Sequence, residues 1–62
     1  MIYVDFQYYS IQACKWLEGT QQFDNVYKAE RFIRKVKSDR MLFFVGYRCD
    51  NPEDNEYLNQ RI

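Results

Sequence analysis

Sixty-two residues with nine basic and nine acidic side chains, two cysteines and no histidine make one short chain of zero net charge. At this length about 60% of the unfolded surface is buried on folding and one core supplies roughly 3–5 kcal/mol, so the chain has room for a single domain of modest stability. The residue list excludes the usual metal staple, because Cys14 and Cys49 stand far apart without CxxC spacing and no imidazole is present.

Residues 1–9 alternate Ile2, Val4, Phe6 and Tyr8 against Tyr3, Asp5 and Gln7, the period of a strand. Residues 10–23 admit two readings: a short helix over 10–18 stopped by Gly19, or a strand around Trp16. Two strands make a poor sheet, and three strands with a packed helix are the usual minimum, which favours the strand. From 25 to 37, Val26, Ala29, Phe32, Ile33 and Val36 recur at intervals of three and four among lysines and arginines, predicting an amphipathic helix capped by Asp24 or Asn25. Residues 41–48 form an apolar and aromatic run too brief for a buried helix, hence a strand. The run from Asn51 places proline and acids where a helix N-terminus wants them, predicting a short C-terminal helix. The expected fold is therefore a small two-layer α+β domain over residues 1–62, arranged ββαβ with a short C-terminal helix.

Catalytic chemistry has little to work with. Nucleophilic catalysis would need a base beside Ser, Cys or Thr, and histidine is absent. Gly19 and Gly46 are isolated and cannot build a phosphate-binding loop. The acids at 50–56 contain proline where a calcium loop needs a ligand and lack its central glycine. The expectation is a non-enzymatic chain without a cofactor. No apolar run approaches the roughly 20 residues that cross a bilayer, and the first residues lack the basic and apolar regions of a secretory leader. A cytoplasmic protein is expected, in the host cytoplasm if phage-encoded, with both thiols reduced and partly buried.

Charge is unevenly spread: Lys28, Arg31, Arg34, Lys35, Lys37 and Arg40 crowd residues 26–40, whereas Asp50, Glu53, Asp54 and Glu56 crowd 50–56. Six Tyr, five Phe and one Trp exceed what one small core can hide. Surplus Tyr and Trp are the residue types enriched at interface hot spots. The expected partner is accordingly another protein, bound through Trp16, Tyr27, Arg31, Lys35, Tyr47 and Tyr57. Size and composition suit a small inhibitor or regulator of a larger protein, of the kind common in phages. Self-association through a sheet edge or a shared helix face would relieve the modest stability, so a homodimer is a further expectation.

A second reading comes from the run 40–47. Its leading base, Phe44, Val45 and closing Tyr47 partly resemble the RNP1 strand of the RNA recognition motif, and Ile2-Tyr3-Val4 resembles the start of RNP2. Met41 and Phe43 stand where that pattern has glycine and a small residue, and the helix at 25–37 occupies the place of its second strand. The resemblance implies base stacking on Tyr3 and Phe44, with Lys28, Arg31 and Lys35 near the phosphate backbone. Nucleic acid is thus the alternative partner.

Overall fold

The computed structural model describes residues 1–62 as β1 (Ile2–Ser10), β2 (Lys15–Phe23), α1 (Val26–Ser38), β3 (Leu42–Cys49) and α2 (Pro52–Arg61). Both outer strands run antiparallel to β1, giving the order β2-β1-β3. The chain is a small α+β domain of three antiparallel strands and two helices, with the strand reading of the Trp16 segment correct. Once Ser10 pairs with Lys15, residues 11–14 need only close a hairpin. Cys14 does so in the left-handed region at φ 53, where a Cβ is disfavoured. The Ser10 hydroxyl accepts from the Ala13 amide at 3.2 Å, and the Cys14 thiol donates to the Ile11 carbonyl at 3.4 Å. Cys14 is therefore exposed at the hairpin tip, where partial burial was expected, while Cys49 is half-buried at the opposite end of the sheet beside Ile2.

Each helix starts where an asparagine replaces a missing backbone partner. Asn25 Oδ1 accepts from the Tyr27 amide at 2.7 Å, and Asn51 Oδ1 accepts from the Glu53 amide at 2.9 Å. Pro52 opens α2 where its absent N–H costs nothing, and Glu53 and Asp54 face the positive helix end. In α1 the last turn carries Lys35 and Lys37 instead, matching its negative end.

Both helices lie on one face of the sheet. The fully buried residues are Ile2 and Val4 from β1, Ala29, Ile33 and Val36 from α1, and Leu58 from α2. Burying a side chain of this size stabilises by about 1.5–3 kcal/mol, so this short list carries much of the fold. Rings fill the space around it: Phe32 meets Phe6 edge-on at 5.2 Å and Phe23 at 5.3 Å. Gly19 sits opposite Phe6, whose ring comes so close that an added Cβ would meet it at 3.0 Å.

The helix side and the open side of the sheet are separated by strand alternation, with one irregularity. Phe6 pairs with Phe44 while Asp5 pairs with Gly46, leaving Val45 as an extra residue in β3. This bulge lets Phe44 and Tyr47, three apart, both turn toward the helices, and puts Val45 and Arg48 on the open side.

Candidate functional site

No helix or loop covers the second face of the sheet, and strand pairing arranges its side chains in rows. The first row joins Trp16 to Tyr9, with Met41 beside them, since the Tyr9 amide donates to the Met41 carbonyl at 3.0 Å. The next joins Glu18, Gln7 and Phe43; then come Thr20, Asp5 and Gly46 with the bulged Val45; the last joins Gln22, Tyr3 and Arg48. The face is thus divided. Trp16, Tyr9, Met41, Phe43 and the bulged Val45 make an apolar and aromatic part that runs along the hairpin end and β3, interrupted by Gln7 and Glu18, whereas Thr20, Asp5, Gln22 and Arg48 make the rest polar around Tyr3.

In the apolar part Trp16 is 47% exposed, Phe43 60% and Val45 57%. Trp16 is held against Tyr9 in an edge-to-face pair at 5.6 Å and 68°, a geometry worth about 0.5–1.5 kcal/mol that also restricts both rings. The polar part is organised around Asp5. Its Oδ1 accepts from the Thr20 hydroxyl at 2.8 Å and from Arg48 Nη2 at 3.2 Å, and the Arg48 guanidinium lies 5.3 Å from the centre of the Tyr3 ring. The Thr20 hydrogen bond, followed by the bond and charge of Arg48, holds the Asp5 carboxyl below its ordinary value of 3.8 against an opposing desolvation. Asp5 therefore stays ionised, and its pairing leaves Glu18 as the one acid on this face without an ion-pair partner.

The residues singled out in the sequence do not form one site. Of the six expected at a protein interface, only Trp16 lies on the open face. Tyr27, Arg31 and Lys35 are exposed on α1, in the other layer. Tyr47 turns inward and its hydroxyl donates to Asn59 Oδ1, tying β3 to α2. The Tyr57 hydroxyl donates to Glu30 at 2.7 Å while its ring meets Tyr27 at 5.3 Å and lies 3.7 Å from the Arg61 guanidinium, a clamp between the helices. The hydrogen bond to Glu30 raises the Tyr57 phenol above its ordinary value of 10.0.

The residues of the nucleic-acid reading are divided as well. Tyr3 stands on the open face, but Phe44 packs against the core on the helix side with Lys37 5.2 Å from its ring centre. Tyr3 and Phe44 thus cannot stack successive bases on one platform. Arg31 and Lys35 are exposed and unpaired, but Lys28 is bound to Asp24 at 3.5 Å, and all three point from the helix layer. Tyr9, one of the surplus rings, belongs to the surface, and so do Met41, Phe43 and Val45, which carried no expectation of an interface. The signal for the last two was Gly46 within a strand pattern, a common mark of a bulge.

The Cys49 thiol is held back from nucleophilic chemistry. Burial, reinforced by Asp54 and Asp50 and opposed by the chain amino group, raises Cys49 above its ordinary value of 9.0, so at neutral pH it stays protonated and a poor nucleophile. No three of the Cys, Asp and Glu side chains gather to hold a metal ion. No helix is long and apolar enough to cross a membrane. No protein-family model, curated protein or solved structure matches the chain.

Proposed function

We propose that this chain is a non-enzymatic protein-binding module, a small inhibitor or regulator of a larger cytoplasmic protein, and that it engages its target through the apolar part of the open sheet face. The observation that carries the reading is the exposure of Trp16, Phe43 and Val45 together on one side of a hydrogen-bonded sheet. Rings and branched side chains fixed on a sheet lose little freedom on binding, which is what an anchor requires. The Asp5, Thr20 and Arg48 cluster supplies a satisfied polar border to that anchor.

Area favours a partner larger than a second copy. Three strands about 4.8 Å apart, two of nine residues and one of eight at roughly 3.3 Å each, give a footprint of roughly 400 Å². Each side of a stable interface contributes about 800 Å². Two copies meeting face to face fall short by half, whereas a larger target can reach past the sheet edges. Charge placement disfavours nucleic acid, because the free cations Arg31 and Lys35 lie in the helix layer and the open face carries Asp5 and Glu18 against Arg48.

The test is capture from lysate of the cells that make the protein, with and without nuclease, comparing the natural chain with Trp16→Ser plus Phe43→Ser. The expected result is one protein retained with nuclease present and lost with the double variant, whose circular dichroism stays native. Capture abolished by nuclease, or by Arg31→Glu plus Lys35→Glu while the double serine variant captures normally, would instead establish the nucleic-acid reading.

A further inference from the structure

The two outer edges of the sheet are chemically unlike. β2 carries two charged residues, Lys15 and Glu18, along its length, the kind of charge that natural sheet edges use to prevent strand addition. β3 carries no charge from Leu42 to Tyr47, and no strand pairs with its outer side. Beside its first residues lies a shallow groove lined by Val36, Lys37, Leu42, Phe43 and Phe44. The bulge at Val45 ends the regular edge just past the groove, so edge and groove coincide over Leu42–Phe44.

The charge around this place is mainly positive. Lys37 lines the groove, and Lys35 and Arg40 stand two and three residues from Lys37 along the chain, in the last turn of α1 and the following loop. None of the three has an ion-pair partner. Asp39, the one nearby acid, accepts from the Met41 amide at 2.8 Å. Phe43 belongs to both this edge and the open face, so one partner can cover both and gain the area that the face alone lacks.

We propose that the outer edge of β3 binds an extended segment of the target that carries alternate apolar side chains and an acidic residue, adding a fourth strand at Leu42–Phe44. The inference rests on the protein-binding reading. The Leu42 amide already donates to the Asp39 carbonyl at 3.3 Å, so the Phe44 amide and the Leu42 and Phe44 carbonyls, which face away from β1, supply the backbone hydrogen bonds. The groove receives an apolar side chain, and Lys37 with Arg40 selects for the acid.

The experiment titrates the isotope-labelled full chain with two blocked peptides, Glu-Val-Glu-Val-Glu-Val and Lys-Val-Lys-Val-Lys-Val, following backbone amides by NMR. The Glu peptide should shift the Leu42, Phe43 and Phe44 amides and bind at least about tenfold tighter than the Lys peptide at low salt, the gap narrowing as salt rises. Lys37→Glu plus Arg40→Glu should invert that preference. Equal affinity for both peptides, unmoved edge amides up to millimolar peptide, or an unchanged preference in the charge-reversed chain overturns the proposal. Trp16→Ser should bind the Glu peptide as the natural chain does. If the edge fails while target capture still depends on Trp16, only the strand-addition proposal falls. If the peptide binds but capture is independent of Trp16, the reading of the face falls instead.

Discussion

The two faces of one sheet use the same three strands and end in opposite states. On the helix side Ile2, Val4, Phe6, Phe44 and Tyr47 meet Ala29, Phe32, Ile33 and Leu58, and an absent Cβ at Gly19 is the space in which Phe6 fits. On the open side Gly46 has nothing within 4 Å of where its Cβ would be, and Trp16, Phe43 and Val45 face outward. The helix side thus holds the fold together, and the open side is left uncovered. Substitutions on the two faces should accordingly be felt in different measurements.

The largest expected effect is on the helix side. Ile33→Ala should cost about 2–5 kcal/mol, enough to leave this short chain largely unfolded in chemical denaturation. A loss below about 1 kcal/mol would mean that the α1 contact is not the core. Next, Gly19→Ala should cost about 1–3 kcal/mol because the new methyl presses on the Phe6 ring, which Phe32 holds in place. The matching change on the other face, Gly46→Ala, should stabilise by about 0.4–1 kcal/mol, since Gly46 has no positive φ and its unfolded state loses freedom. Equal effects of the two alanines on the denaturation midpoint would erase the distinction between the faces.

Acid should act on the open side. The folded Asp5 carboxyl is lowered, so the unfolded chain takes up its proton first as pH falls. Its contribution is therefore complete above the ordinary carboxylate value and is lost as pH falls through the lowered folded value. Asp5→Asn should remove this part of the acid dependence and cost only about 0.2–1 kcal/mol at neutral pH, as exposed ion pairs do. An unaltered pH profile of stability in Asp5→Asn would show that the cluster is not formed in solution. The smallest stability effect is expected for Phe43→Ser, within about 0.5 kcal/mol of the natural chain, although target capture should fall with it.

Much of the fold was legible because it is written in local periods. Alternation from Ile2 to Tyr8 assigned each β1 side chain to a face, and the three-and-four spacing of Val26 to Val36 located α1 to within a residue. Asp24 or Asn25, and Asn51, marked the helix starts through a side-chain acceptor for the free N-terminal amides, and the structure decides for Asn25 in α1. The segment before Gly19 was ambiguous for the same reason: its spacing fits either period over a short span, and only the need of β1 for partners on both edges decides it. The surface was less legible. Tyr47 and Tyr57 have the composition of interface residues, but their hydroxyls are taken by Asn59 and Glu30, contacts 12 and 27 residues away in the chain. Phe43 and Phe44 are chemically alike neighbours, and their opposite fates follow from the pairing of Phe44 with Phe6.

By itself the sequence determined the class of fold, the extent of α1 and the start of α2, because these follow from spacing and capping within a few residues. Tertiary structure decided which rings remain outside. The Val45 bulge resets the alternation of β3 so that Tyr47 enters the core and Arg48 reaches Asp5. Both helices then settle on the face that already holds Ile2 and Val4, so neither covers the aromatic part of the other face.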